Sequence, residues 1–176
     1  EWYLGAGVGQ SDMQDVDCND TSLITCTIDR TDTAWKLYGG FRFLPNAAVE
    51  FGYMNLGKAT SNGIDSIFGP FNAEFEATAL NAALVGTLPL GNAVALQGKI
   101  GAARWGVDDS GTIGGIHTAV NESGTDLLFG VGIRFDVTKN LAIRTEWERL
   151  KNVGVEDSTG QFDYDFLSVN LIATFK

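Results

Sequence analysis

The stretch LAIRTEWER, residues 141–149, gives a single segment two different faces. Read with a period of two, one face carries Leu141 and Ile143, and the other carries Arg144 and Glu146. Alternation of this kind predicts a β-strand with unlike environments on its two sides. A soluble protein would bury the apolar face, whereas a barrel in a membrane would turn it toward lipid. The remaining sequence decides between these two arrangements.

The rest of the chain contains seven more segments with strand character and no segment with helical periodicity. No run of 18 apolar residues is present, so the sequence predicts no transmembrane helix. The eight predicted strands lie near residues 1–10, 33–43, 48–57, 73–88, 93–106, 124–136, 141–152 and 164–175.

The connections between these strands alternate strictly in length. Short connections with turn-forming residues lie at 44–47, 90–92 and 137–140. Long polar segments lie at 11–32, 58–72, 107–123 and 153–163. Short turns at one rim and long loops at the other are typical of an outer-membrane barrel, so we predict an all-β, eight-stranded antiparallel up-and-down transmembrane β-barrel.

The two faces of the predicted strands support this fold. The apolar faces of seven strands supply 28 residues, whereas a packed eight-stranded barrel holds on the order of 12 inward side chains. The opposite faces are rich in glycine, which weakens a strand but leaves room in a narrow lumen beside long ionic side chains. We therefore expect Leu141, Ile143 and Trp147 to face hydrocarbon and the charged face of LAIRTEWER to face the lumen.

Charge and cysteine content restrict the function. The formal net charge of −10 argues against nucleic-acid partners. Cys18 and Cys26 are the only cysteines and lie in an acidic polar stretch, where a disulfide is the favoured interpretation. A disulfide indicates an oxidising compartment, and closing so short a loop should contribute about 2–3 kcal/mol.

Four stretches resemble the OmpA-type eight-stranded outer-membrane barrel domain: EWYLGAGVG, KLYGGFRFLPNAAVEFGYMNLG, GTLPLGNAVALQGKIGAARW and GIRFDVTKNLAIRTEWERLKNVG. The resemblance covers nearly all predicted strands but not the loops. It implies one monomeric barrel domain over residues 1–176 in the outer membrane of a Gram-negative bacterium, in contact with lipid and lipopolysaccharide. Residues 73–88 contain no Lys, where the family pattern has an interior one. By their motifs, Glu50, Lys99, Arg144 and Glu146 match interior charged positions of such barrels.

The predicted lumen is nearly neutral. We place five cations inside, Lys36, Arg42, Lys99, Arg134 and Arg144, and four anions, Glu50, Asp136, Glu146 and Glu148. Burying an unpaired charge is costly, so these groups should pair. The candidate lumen charge network consists of Glu50, Lys99, Arg134, Arg144 and Glu146, with Glu50 and Arg134 as the expected partners of Arg144 and Glu146.

The sequence favours a structural, porin-like barrel that maintains membrane integrity and contacts an extracellular partner through its acidic loops. It leaves a low-conductance pore, a soluble lipocalin-like barrel and a lipid-A-modifying enzyme open as alternatives. The enzyme would use His117 with Ser123 or Glu122, but no spacing supports a catalytic pair. The aspartates of the first long loop favour a solvated acidic surface over a Ca²⁺ site. We expect no catalytic site, no metal site and no cofactor.

Overall fold

The computed structural model describes residues 1–14, 23–29, 31–65, 67, 69–113, 115–153 and 162–175. The described residues form nine strands: β1 Trp2–Met13, β2 Leu23–Asp29, β3 Thr31–Leu44, β4 Ala47–Asp65, β5 Gly69–Pro89, β6 Val94–Ile113, β7 Ile116–Asp136, β8 Leu141–Val153 and β9 Phe162–Phe175. Within these ranges, no helix has the length and apolarity that a membrane span requires.

Eight of the nine strands close into a ring. The hydrogen-bonded order is β1, β3, β4, β5, β6, β7, β8, β9 and back to β1, and every neighbouring pair is antiparallel. The ninth, β2, pairs with the outer part of β4, from Leu23 opposite Asp65 to Asp29 opposite Thr60. The prediction of an eight-stranded up-and-down barrel is confirmed, and β2 extends the sheet beyond the ring within a segment predicted as a loop.

The predicted short turns and both chain ends lie at one rim. Trp2 lies opposite Phe41, near the first turn, and also opposite Phe175, near the end of the chain. The backbone N–H of Thr174 donates to the carbonyl oxygen of Asn140 in the third turn. This end of the barrel is called the turn rim below.

Two of the predicted long loops are largely strand. β4 and β5 pair out to Asp65 opposite Gly69, with one register shift between Asn55 and Lys58, and β6 and β7 pair out to Ile113 opposite Ile116. Residues 58–72 and 107–123 were therefore wrongly predicted as loops. Outside the membrane both faces of a strand meet water, so the apolar alternation that marks a strand is lost while the backbone ladder continues. These two projecting hairpins are called the outer hairpins.

The side chains alternate as the sequence predicts. Ile143, Val131 and Leu167 point outward and are exposed, whereas Ala142 and Leu128 point inward and are buried. The structure also gives the orientation of β5, which the sequence leaves open. Its odd-numbered residues such as Ala79 and Ala83 face the lumen, and Leu80, Leu84 and Leu88 face outward.

Inward glycines face bulky side chains of neighbouring strands. A methyl group at Gly5 would lie 2.2 Å from the Tyr38 ring, and one at Gly40 would lie 2.1 Å from the Tyr3 ring. Both separations are far shorter than van der Waals contact, so a larger residue at either glycine would displace a tyrosine. The glycine-rich inner faces thus make room for large lumen side chains, as predicted.

Candidate functional site: the lumen of the barrel

Six charged side chains meet in the middle of the lumen and are called the lumen charge network. They come from four strands because the period of two turns the even-numbered residues of β3, β4 and β8 and the odd-numbered residues of β6 inward. Each residue is at most 6 % exposed. The network consists of Lys36, Glu50, Lys99, Arg144, Glu146 and Glu148.

Arg144 and Glu50 connect opposite walls of the barrel. The guanidinium Nη1 of Arg144 lies 2.7 Å from Glu50 Oε1, and its Nη2 lies 3.3 Å from Glu146 Oε2. β8 and β4 are four strands apart in the ring of eight. This pair therefore braces the barrel across its full width.

Two lysines complete the pairing. Lys99 Nζ lies 2.9 Å from Glu50 Oε2, 3.2 Å from Glu146 Oε1 and 2.9 Å from Glu148 Oε1. Lys36 Nζ lies 2.5 Å from Glu146 Oε2 and also contacts Glu148. Three cations thus face three carboxylates, so the buried group is neutral as a whole and each carboxylate contacts at least two cations.

Two tyrosines enclose the network on its turn-rim side. The Tyr3 hydroxyl donates to Glu50 Oε1 over 2.9 Å, so that carboxylate is bound from two directions. The guanidinium of Arg144 lies 4.6 Å from the centre of the Tyr38 ring, within the range of a cation–π interaction. The two rings occupy the space left by Gly5 and Gly40. Aromatic rings thus pack directly against the charge network inside the lumen.

Apolar side chains fill the lumen on the other side of the network, toward the outer hairpins. Phe166, Leu128 and Met54 are fully buried, and Trp105 donates from Nε1 to Asp126 over 2.8 Å at the outer edge of this cluster. This cluster is called the outer plug. It contains Met13, Ala34, Met54, Leu56, Ala59, Ala77, Ala79, Ala103, Trp105, Val107, Leu128, Leu150, Val153, Tyr164 and Phe166, with Phe75 and Phe162 packed against it.

The structure brings Glu50, Lys99, Arg144 and Glu146 together but separates Arg134 from them. Arg134 faces inward near the turn rim, where its Nε lies 2.7 Å from Asp136 Oδ1. It also lies directly opposite Arg144 in the β7–β8 ladder. Two guanidinium groups in that position repel each other, and Asp136, two residues along the same face, is the nearer partner. The predicted pairing of Arg134 with the network is therefore wrong.

The alternation in the sequence predicts that Lys36 and Glu148 point inward, but neither residue was part of the predicted network. The alternation identifies a face but not the height of a residue along the barrel axis, which depends on the stagger of the strands. The outer plug was missed as well. Its signal is the set of small and apolar inward residues on β5 and β6, such as Ala77, Ala79 and Ala103.

The cysteine prediction lies outside the residues whose placement is described. Cys18 falls in the gap between residues 14 and 23, and only the backbone of Cys26 on β2 belongs to the described structure. The disulfide stays a prediction. In the described part of the chain, no three His, Cys, Asp or Glu side chains come close enough to hold a metal ion.

The residues of the alternative enzymatic site are spread along one outer hairpin. His117 accepts or donates a hydrogen bond with Thr112, 2.8 Å away on the paired strand. Ser123 lies six residues further along β7, about 20 Å away on an extended strand. Glu122 points to the opposite face of β7. The distances are therefore too large for a single active site that contains His117, Ser123 and Glu122.

The acidity of the chain is concentrated on the side of the outer hairpins. Among the described residues, the segments on that side hold 12 Asp and Glu residues against four Lys and Arg residues. These described segments are residues 11–14, 23–29, 31–34, 56–65, 67, 69–78, 104–113, 115–127, 149–153 and 162–165. The surface farthest from the turn rim is thus strongly negative, while the lumen is neutral.

Known proteins with the same architecture are outer-membrane barrels. Outer membrane protein A of Klebsiella aerogenes is 25% identical over 176 residues, which is 99% of this chain and 48% of that protein. Outer membrane protein A of Salmonella typhi is 26% identical, with the same coverage of both chains. This chain spans about half the length of these relatives.

Solved structures give the same fold. Neisserial surface protein A matches with a TM-score of 0.66 at 12% identity, over 99% of this chain and 97% of that one. Ail, the attachment invasion locus protein of Yersinia pestis, matches with a TM-score of 0.61 at 16% identity and the same coverages. At such identities these likenesses show the fold alone.

A family model described as the OmpA-like transmembrane domain matches residues 1–176. The match agrees with the ring of eight strands, the outward apolar band and the charged lumen. The protein is located in the bacterial outer membrane, where its outward face meets lipid. The chain belongs to the family of OmpA-like transmembrane domains.

Proposed function

We propose that this barrel acts as a closed, non-catalytic structural element of the outer membrane. Its two roles are to maintain membrane integrity and to contact other molecules through the acidic outer hairpins. The observation that supports the first role is that the lumen is filled at two successive levels. The neutral lumen charge network occupies one level and the outer plug occupies the next.

The electrostatics of the lumen favour closure over conduction. A selective pore presents unpaired charges or a wide polar lining to its ions. Here each cation of the network lies within 4 Å of carboxylate oxygens, including those of Glu50 and Glu148. Moving an ion through this level would require breaking paired charges in a partly desolvated interior, which is costly. A structural barrel needs no such passage.

The second role draws on the projecting hairpins and their charge. β4 with β5 and β6 with β7 continue well beyond the last residues of β1 and β8. They carry an acidic surface away from the membrane. As a monomer in lipid, the protein would present these hairpins to an extracellular partner.

Planar-bilayer recordings test the closed-barrel proposal. The purified protein should give no sustained current steps, while a Glu50→Ala/Leu128→Ala/Phe166→Ala variant, which weakens both the lumen charge network and the outer plug, should give measurable steps. Leu80→Ala, on the outward face, is the matched control and should behave like the unchanged protein. Stable, salt-dependent steps from the unchanged protein would overturn the proposal in favour of a pore.

The integrity role is tested in cells. A strain without this protein should take up a hydrophobic dye faster and survive less well in detergent. Re-expression of the protein should restore both properties. Restoration by the Glu50→Ala/Leu128→Ala/Phe166→Ala variant to the same degree would show that a closed lumen is not what the membrane requires.

A further inference from the structure

The outward face of the barrel contains an apolar groove of about 780 Å³ that crosses β1, β3, β4 and β5. The floor of the groove includes Gly39, which lies between Leu4 of β1 and Phe51 of β4 in the ladder. Gly39 has no side chain to fill the space, whereas Leu4 and Phe51 are both exposed beside it. The walls of the groove are formed by Leu4, Leu37, Phe51, Tyr53, Leu80 and Leu171.

The groove runs obliquely through the apolar band. At one end, Leu4 lies two residues from Trp2, where β1 begins at the turn rim. At the other end, Leu80 lies nine residues from Pro89, where β5 ends at the same rim. With about 3.3 Å of rise per residue and a strand tilt of about 40°, the two ends differ in height by roughly 18 Å. A cleft of this length and apolarity fits an extended hydrocarbon chain.

A cation lies at the outer end of the groove. Arg104 of β6 is exposed on the outward face, directly opposite Leu80. It lies ten residues from Val94, where β6 begins at the turn rim, and this separation corresponds to a height of roughly 25 Å. The apolar band of an outer-membrane barrel is about 25 Å tall. Arg104 is therefore at the level where hydrocarbon ends and lipid headgroups begin.

The surroundings of Arg104 favour an anionic ligand. Thr125 of β7 is exposed directly opposite Arg104, and Thr78 of β5 lies diagonally across from it, so two hydroxyl groups flank the guanidinium. In the two flanking stretches that the structure describes, 69–89 and 116–136, no carboxylate lies within ion-pair distance of Arg104. The outward carboxylates of β5 and β6, Glu76 and Asp108, lie four residues farther from the turn rim, which is roughly 13 Å along the strands.

The guanidinium and the groove together fit one kind of ligand. An arginine binds phosphate oxygens through paired hydrogen bonds, and at a membrane boundary its aliphatic stem packs on apolar surface while the charge stays at the headgroup level. The outward face meets lipid, so acyl chains are the molecules that surround the groove. Because Leu80 borders both the groove and Arg104, one lipid molecule can contact both.

We propose that Arg104 and the groove together form a binding site for a lipid with an anionic phosphate headgroup. The phosphate binds to the guanidinium of Arg104, and one acyl chain lies along the groove past Leu80 toward Leu4. The site distinguishes this lipid from the surrounding bilayer because it combines a charge contact with a shaped apolar surface. The inference goes beyond the proposed structural and contact roles, and it does not depend on whether the lumen is closed.

The test uses native mass spectrometry of the protein in detergent micelles, titrated with phosphatidylglycerol. We expect one retained lipid molecule per barrel. Arg104→Gln removes the charge and Gly39→Leu fills the floor of the groove, and each change should weaken retention at least tenfold. Two matched controls should bind like the unchanged protein. Lys58→Gln removes another exposed cation, and Gly98→Leu adds the same side chain at an outward glycine outside the groove.

Two further probes separate the two parts of the lipid. Diacylglycerol with the same chains lacks the phosphate, and glycerol phosphate lacks the chains, so neither should be retained. If Gly39→Leu fails to fold, as judged by far-ultraviolet circular dichroism, Ala6→Leu replaces it, since Ala6 also lines the groove.

Three results would overturn the proposal. Equal retention of phosphatidylglycerol by Arg104→Gln and the unchanged protein would mean that the phosphate contact contributes nothing. Equal retention by Gly39→Leu and Gly98→Leu would mean that the groove does not hold the chain. Dimers that increase with protein concentration and disappear in Gly39→Leu would assign the groove to a second copy of the chain. None of these results changes the bilayer currents, so a failure here is distinct from a failure of the closed-barrel proposal.

Discussion

Arg144 of β8 and Glu50 of β4 form an ion pair across the barrel lumen, with 2.7 Å between Nη1 and Oε1. The two strands lie on opposite sides of the ring, and both side chains are almost fully buried. Tyr3 and Lys99 bind the same carboxylate from other directions. Glu50 is thus the acceptor that connects one wall of the lumen to the other.

Removal of Glu50 should destabilise the barrel and loosen its closure. Glu50→Ala leaves Arg144 and Lys99 with one carboxylate fewer in a desolvated site, which typically costs about 3–5 kcal/mol. We expect a lower urea midpoint in detergent and, in the Leu128→Ala/Phe166→Ala background, an increase in single-channel current. Glu74→Ala, which removes an exposed partner of Lys58 on an outer hairpin, is the matched control and should change little. Unchanged stability and current in Glu50→Ala would mean that the network is solvated.

The neutrality of the network can be tested separately from its individual contacts. Lys36→Met leaves an excess of negative charge beside Glu146 and Glu148, and Glu148→Gln leaves an excess of positive charge. We expect each single variant to be less stable and the double variant to be less destabilised than their sum by about 1–3 kcal/mol, in a double-mutant cycle by urea unfolding. The exposed pair Lys58 and Glu74 should show no resolved coupling. Additive effects within the lumen would contradict a shared neutral network.

The faces of the strands were predictable from the sequence because a period of two is a local property. LAIRTEWER showed which side chains of β8 point inward, and the resemblance to a known family supplied Glu50 as a partner of Arg144. The structure contains that pair. The local pattern does not give the position of each side chain along the barrel axis. Lys36 and Glu148 meet because strands distant in sequence are staggered, and no short window of sequence records that stagger.

The outer hairpins show the other limit of sequence reasoning. Residues 107–113 and 116–123 continue the β6–β7 ladder, yet they carry Asp, Ser, Thr and Asn on both faces. Once a strand leaves the membrane, backbone pairing maintains it without any apolar face. Arg134 illustrates a similar point inside the barrel. Its partner Asp136 is two residues away on the same strand, closer than the carboxylates across the lumen.

The outward face of β7 should not tolerate a charge at its centre. Val131 is exposed and lies midway along the apolar band between Leu127 and Phe135. Val131→Arg should cost roughly 2–4 kcal/mol near the bilayer midplane, measured by reversible unfolding in liposomes. Val131→Leu preserves the apolar surface and should keep the original stability. An unaffected Val131→Arg variant would place this face outside the hydrocarbon.

The orientation of the barrel in the membrane follows from the position of its turns. We expect the turn rim, with both chain ends, to face the periplasm and the outer hairpins to face the medium. In a background with Cys18 and Cys26 replaced by Ser, Thr118→Cys should react with a membrane-impermeant maleimide on intact cells. Thr138→Cys, in the third turn, should react only after permeabilisation. The reverse pattern would invert this orientation.

The stability of the outer β6–β7 hairpin should depend on pH through Asp109. Partial burial, and then the nearby Glu122 carboxylate, raise the pKa of Asp109 above its usual value. The closed hairpin therefore holds the Asp109 proton more tightly than the opened hairpin does. The stability of the closed hairpin that depends on this proton is present at low pH and is lost as the pH rises. Asp109→Asn should slow amide exchange in residues 107–113 relative to the unchanged protein at pH 7. The exchange rates of the variant and the unchanged protein should converge below about pH 4, near the ordinary pKa of an aspartate.

Asp108→Asn removes a charge from the opposite face of β6 and is the matched control. Equal exchange in the Asp109→Asn and unchanged proteins at pH 7 would mean that Asp109 ionises there without cost to the hairpin.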